Sequence, residues 1–588
     1  MRIAARLEGR SRIDGREDGK GVILPIREAI RRYVRPGMEL HLAGGRGGPG
    51  AAVCEIVRQF RRMSPEFVLI QSTVTGHSLH LIHCGLIRKM VFATCTETSD
   101  SVRPSRVFQK AYKEKRIEVE NWSLCSLQQR LMAGAMGLPF MPTRSISGST
   151  LASDLREAFI EIGDPFGTER IGVVRALRPD ISIVHGCVAD DEGNTILGAP
   201  IGDDLWGTFA SKGGALVTVE KIVSSDVIRK YSSLVRIPGH VVKAVSLAPL
   251  GVHPFAFLDP GIAGLDPYDI DREFLRGMSA ASDDCGALDA WIREWVIDCA
   301  SHEAYLEKLG NQRVAGLMRA AAAVPLWGNP PASPDRAEMD YSPEEMMFVA
   351  AAREVISAVK RSQHRLLLVG SGSRVVAPWL AYYRLRSEGY GIDVMTGNGQ
   401  IGYTPLPGEA FIQSAAAIRT SKMLADTVTA HGVLVGGGSR CLSILGAAQI
   451  DRFGNINSTK LSADRFLVGS GGGNDSVNAR EVIVIVNQSR TRFPESVPHI
   501  TSPGDNVTAV VSSMGIFRKN LGKEKLRLAA CFPGSGMSRD ELIGRIREEC
   551  GWPLETAETV EQMPEPTREE LGVLRWLRAS PPEGTGGG

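Results

Sequence analysis

The chain has 588 residues, enough for several domains and more than one buried core. Its residues are 43% apolar and 23% charged, as in an ordinary globular protein, and a formal charge of +2 gives no electrostatic case for nucleic acid or an anionic membrane as partner. Ten cysteines are scattered without a Cys-x-x-Cys pair, so reduced thiols are expected instead of a disulfide framework or a zinc site. No apolar run reaches the roughly 18 residues of a membrane span, and the segment from Met1 to Leu7 lacks the apolar centre of a signal peptide. A cytoplasmic location is expected.

Residues 1 to 20 are polar and rich in Gly and Arg, and read as a loose arm. A helix is expected from Ile26 to Val34, stopped by Pro36-Gly37. A strand at 39–43 then runs into Gly44-Gly45-Arg46-Gly47-Gly48-Pro49-Gly50 and a helix at 51–60. Gly45, Gly47 and Gly50 form a literal G-x-G-x-x-G, but the next strand, 67–70, ends in Gln71-Ser72 where a ribose-binding site needs an acid. A glycine turn feeding a helix is the preferred reading over dinucleotide binding. His77, His80 and His83 fall within one expected helix; with no carboxylate at ligand spacing they read as buried or surface histidines, and no metal is expected. Glu97 follows an expected strand at 91–93 and is a loop acid by position.

An internal repeat organises the rest. A strand at 180–185 leads to Asp190-Asp191-Glu192-Gly193-Asn194, and the stretch 446–450 leads to Asp451-Arg452-Phe453-Gly454-Asn455. Both are Asp-x-x-Gly-Asn, the pattern of a tight turn in which Asp caps the backbone and Gly takes positive φ. Expected strands at 215–220 and 481–486 recur after them. The chain therefore reads as an α/β protein of two tandem, open, mostly parallel-sheet domains related as a pseudo-repeat. The expected boundaries are 21–324 and 343–555, a proline-dense linker at 325–342 and an extension with a disordered tail at 556–588. Helices are expected over 269–324, and Ser342-Pro343 should start another with Ser as N-cap and Pro in the first turn.

The most distinctive stretch is 366–475. An apolar strand breaks into Gly370-Ser371-Gly372-Ser373; later come Thr396-Gly397-Asn398-Gly399, Gly436-Gly437-Gly438-Ser439 and Gly469-Ser470-Gly471-Gly472-Gly473-Asn474-Asp475. Short strands ending in glycine loops are where an open α/β sheet binds ligands. This order of motifs resembles the second half of a family I coenzyme A transferase of the glutaconate and 3-oxoacid type. Leu138-Pro139-Phe140-Met141-Pro142-Thr143 is similar to a turn in the first of that family's two subunits. The resemblance implies an enzyme with α-like and β-like units fused in one polypeptide, a homo-oligomer, a coenzyme A ester as substrate and no permanently bound cofactor.

It further implies a glutamate nucleophile in a Glu-Asn-Gly motif, where this chain has Gly397-Asn398-Gly399. A related hydrolase of carbon–carbon bonds places its catalytic glutamate on the segment matching Asn121 to Ser126, and that position falls on or near Leu124. Both acids are missing. The positions left near the chemistry are Gly397, Thr396 and Asn398; Glu97 and Glu409 are the candidates for a relocated carboxylate, and Cys441 is a neighbouring thiol. Gly437, Gly438, Gly471, Gly472 and Gly473 are expected to supply thioester contacts and oxyanion amides. Asp475 reads as a helix cap.

The expected function is thus an acyl-CoA enzyme with altered chemistry: hydrolysis, acyl transfer or C–C cleavage. The alternatives are a true CoA transferase with a relocated carboxylate, and a non-catalytic acyl-CoA-binding protein. On this reading Gly397→Glu should create or raise CoA-transferase activity.

Overall fold

The computed structural model describes residues 21–44, 47–98, 102–258, 260–323, 339–370, 372–407, 415–438, 440–533 and 537–579. The expected N-terminal arm, most of the linker, the terminal tail and Glu409 lie outside them.

Two large sheets carry the chain. In the first, seven strands run parallel in the spatial order Val242–Leu247, Ala215–Ile222, Ile181–Ala189, Glu39–Leu42, Phe67–Val74, Ile87–Thr98, Glu118–Asn121. The strands from Glu39 onward wind one way and those from Ile181 onward the other, so the switch falls between Glu39–Leu42 and Ile181–Ala189. The second sheet places Asp393–Thr396, Leu366–Val369, Cys441–Gly446, Glu481–Val486 and Val507–Ser512 side by side in parallel, with antiparallel additions at both ends. Val, Ile and Leu dominate these strands because helices cover both faces of a parallel sheet. Glu481–Val486, for example, is buried along its whole length.

The two Asp-x-x-Gly-Asn turns match bond for bond. Asp190 Oδ1 accepts from the amides of Glu192 and Asn194, and Asp451 Oδ1 accepts from those of Phe453 and Asn455. Gly193 and Gly454 have φ of +92° and +83°, as a turn built on glycine requires. The Asn side chains then accept from Gly239 N and Gly504 N respectively. The same groups serving the same purpose in both sheets bear the mark of duplication.

Local signals are met with small shifts. The first helix is Ile26–Tyr33, and Pro343–Ser362 begins with a reciprocal Ser342/Glu345 capping box. Segment 269–324 holds four short α-helices, Arg272–Ala281, Cys285–Ile292, His302–Leu309 and Asn311–Ala322.

The halves meet along the edge of strand Ile87–Thr98 and the start of helix Leu124–Ala135. Cys95 N and Thr94 Oγ1 donate to Val468 O, Gly471 N donates to Ala93 O, and Leu124 N donates to Gly471 O. Phe466 of the second half packs edge-on against Phe108 and beside Phe92 of the first.

Candidate functional site

Gly397 sits just past the C-terminal end of strand Asp393–Thr396, in a turn closed by Gly399 N donating to Thr396 O. A Cβ on Gly397 would overlap Nε2 of His431. A Cβ on Gly472 would lie 2.7 Å from the same nitrogen and 3.4 Å from Leu124 Cδ1. The imidazole is therefore wedged between two glycines from separate stretches of the chain, Gly397 and the Gly472 of the loop after Val468, with Leu124 close to the second.

His431 lies on the wide helix Val428–Val435, where Gly436 N reaches back five residues to His431 O. Such π-type turns recur at functional sites because the extra residue per turn redirects a side chain. The residue is 3% exposed, and neither ring nitrogen has a hydrogen-bond partner among the described residues. Burial holds the imidazole below its ordinary pKa, against the opposing field of the Asp475 carboxylate.

Asp475 is not the cap of its own helix, as its sequence position suggested. Its Oδ2 accepts from Cys125 N at 3.0 Å and its Oδ1 from Ser145 Oγ at 2.6 Å. It thus caps helix Leu124–Ala135 of the opposite half, and it is 1% exposed. Asn474 assists, its Oδ1 accepting from Ile146 N at 2.7 Å. With both oxygens engaged, Asp475 is a clamp between halves and a source of negative field beside His431.

The remaining expected residues divide sharply. Thr396 is buried with its hydroxyl donating to Gln400 Oε1 at 3.3 Å, inside its own turn. Asn398 is half-buried in the turn beside Gly397. Glu97 is in strand Ile87–Thr98 and not in a loop; its carboxylate accepts from Arg106 N at 2.8 Å and pairs with Arg103 at 2.9 Å. Those partners engage both oxygens of the Glu97 carboxylate in structural bonds. Cys441 is fully buried in its strand, and burial pushes its thiol up to about 12, so it stays protonated.

The glycine loops need a similar correction. Gly437 N donates to Val433 O, Gly471 N to Ala93 O and Gly473 N to Ser470 O. These three amides are consumed by the fold and cannot face an oxyanion. Gly472 N and Gly438 N remain without an acceptor among the described residues, and only Gly472 adjoins His431.

The first-half glycine loop is likewise shaped for protein. Gly44 N and Ser72 N both donate to the buried carboxylate of Asp203, at 2.7 and 2.9 Å, so a negative group already holds the amides that a pyrophosphate would seek. His77 and His80 are buried, burial takes His80 down to about 3, and His83 pairs with Asp289 at 2.8 Å. His77 and His80 pack ring edge to ring face, 5.2 Å between centroids, in a buried cluster apart from the His83–Asp289 pair.

Comparison with known proteins agrees with the architecture. The coenzyme A transferase family profile matches residues 24–248. The chain is 30% identical over 313 residues to one of the two subunits of glutaconate CoA-transferase from Acidaminococcus fermentans, covering 94% of that protein and 50% of itself. It also matches both subunits of one enzyme, the 3-oxoadipate CoA-transferase of Pseudomonas knackmussii. The first is 30% identical over 93% of its length (47% of this chain), and the second 30% identical over 94% (41% of this chain). Among solved structures, an acyl-CoA transferase from E. coli O157:H7 aligns over 94% of this chain and 96% of its own, with a TM-score of 0.64 at 15% identity. Two mostly parallel α/β sheets joined in one chain are the architecture it shares with that transferase. The chain belongs to the coenzyme A transferase family.

His431 is the residue that sequence reasoning missed. The available signal was a lone histidine in an otherwise apolar and glycine-rich run, Ala430 to Val435. A polar group there is either paired or purposeful, and nothing in the sequence says which.

Proposed function

We propose that this protein acts on an acyl-CoA thioester without forming a covalent bond between the acyl group and a glutamate of the enzyme. The observation that carries this reading is the overlap between His431 and any side chain at Gly397. The volume a nucleophilic carboxylate would enter is filled by an imidazole, and Asp475 and Glu97 are bound up in structural hydrogen bonds. The bond to the acyl group is then made by water or by a second substrate. Hydrolysis and hydrolytic C–C cleavage are favoured over transfer between two acids by the ping-pong route, because that route needs a covalent carrier on the enzyme.

Membership of the transferase family supports a coenzyme A ester as the substrate, as do the relatives that are glutaconate and 3-oxoadipate CoA-transferases. The matches to both halves of the Pseudomonas enzyme support two fused units, joined near the undescribed residues 324–338. No helix among the described residues is long and apolar enough to cross a membrane, which is compatible with a cytoplasmic enzyme.

The test is release of free coenzyme A from a panel of saturated, 3-oxo and dicarboxylic acyl-CoA esters, with and without added acceptor acids. Release, or C–C cleavage products, in the absence of any acceptor is expected. Strict dependence on an acceptor acid would contradict the proposal.

A further inference from the structure

The geometry points to His431 as the general base of this site, its Nε2 activating a water for attack on the carbonyl carbon of a bound acyl-CoA, with Gly472 N donating to the developing oxyanion. This rests on the reading that the substrate is a coenzyme A ester and adds the residue that replaces the absent carboxylate.

Three independent observations converge on it. First, the ring is buried with both nitrogens unpartnered among the described residues. A buried polar atom without a partner costs about 1–3 kcal/mol, so it calls for a completing water, ligand or role. Second, Nε2 is the atom nearest to a Cβ built at Gly397 and at Gly472. At both positions that face this nitrogen the chain presents glycine backbone and no side chain. Third, Gly472 N is free while its neighbours Gly471 N and Gly473 N are bonded. One residue thus carries an unengaged amide and adjoins the ring, and a donor with a base is the minimum that water addition to a carbonyl requires.

In the forward step water oxygen bonds to the carbonyl carbon as one water proton passes to Nε2, giving a tetrahedral oxyanion and an imidazolium. The C–S bond then breaks, coenzyme A leaves as thiolate, and the imidazolium returns the proton to sulfur. The products are the free acid and coenzyme A thiol, and His431 ends neutral as it began. Asp475 is a positioning residue here: its negative field favours the imidazolium formed in between, while its hydrogen bonds hold helix Leu124–Ala135 against the loop.

The test uses the full chain and two readouts. His431→Gln and His431→Ala are assayed for coenzyme A release from the best substrate of the acyl-CoA panel. They are also tested by calorimetry for binding of S-(2-oxopropyl)-coenzyme A, a ketone analogue that cannot be hydrolysed. A general base contributes about 10²- to 10⁴-fold, so kcat should fall by that factor in both variants while the analogue binds within about threefold of the parent. Added imidazole should restore part of the rate to His431→Ala, whose vacated slot admits it, and little to His431→Gln. Undiminished kcat in a folded His431→Gln protein would overturn the role of His431 and leave the acyl-CoA reading intact. No binding of the analogue to the parent protein would overturn both.

Discussion

His431 stands in the volume that a side chain at Gly397 would need, with its Nε2 inside van der Waals contact of the missing Cβ. Glycine at 397 is therefore a steric requirement of the imidazole and not simply a lost glutamate. Gly397→Ala is expected to cost about 1–3 kcal/mol through overpacking. Gly397→Glu alone should be destabilised and should not gain CoA-transferase activity, which revises the expectation from sequence. Pairing it with His431→Ala should relieve the clash. A thermodynamic cycle on the two sites is expected to show coupling above about 0.5 kcal/mol, and additive effects would refute the contact.

The clamp between halves makes a stability prediction. Asp475→Ala strands the Cys125 amide and the Ser145 hydroxyl in a buried interface, an expected loss of about 3 kcal/mol for hydrogen bonds to a charged acceptor. Asp475→Asn keeps an acceptor for one donor and should lose less. Chemical denaturation followed by tryptophan fluorescence would report it, Trp122 being fully buried beside the interface.

Glu97 separates a structural acid from a catalytic one. Glu97→Gln weakens its pairing with Arg103 and should lower stability by about 1–2 kcal/mol. Turnover of the acyl-CoA substrate should stay within about threefold of the parent, since general acid or base groups contribute about 10² or more. A loss of activity in a protein that remains folded would restore Glu97 as a candidate nucleophile.

Acid stability follows from Glu481 at the base of the second sheet. Burial would raise its pKa, but hydrogen bonds from His364, Thr508 and Ser362 with the charge of Arg361 prevail and bring it down to about 2. A folded value below the unfolded one means stability fully present above the ordinary carboxylate range and lost as pH falls from about 4.5 toward 2. The contribution is about 2 kcal/mol once the half-exposed Arg361 is discounted for solvent screening. Glu481→Gln should flatten the pH dependence of the unfolding midpoint over that window; an unchanged slope would count against it.

The duplicated turns at Asp190 and Asp451 were legible because the bonds that close them lie within five consecutive residues, and local hydrogen bonding depends on local sequence. The parallel strands were legible for the same reason, as unbroken apolar runs bounded by glycine. The site was not. His431 matters because Gly397 and Gly472 let it in, and that juxtaposition is made by tertiary packing of three separate segments within the second half. Asp475 looked like a cap and is one, but for a helix of the other half. Likewise the glycine loops announced close backbone approach correctly, while which amides are consumed by the fold depends on partners such as Ala93 that only tertiary structure supplies. Glu97 reversed its meaning once Arg103 and the Arg106 amide appeared beside it.

The most direct test of the central claim is intact-mass and peptide analysis of the protein quenched with hydroxylamine or borohydride during turnover of an acyl-CoA. Unmodified protein is predicted throughout, with free coenzyme A accumulating. A hydroxamate or reduced adduct mapped to any glutamate or aspartate of the chain would contradict it.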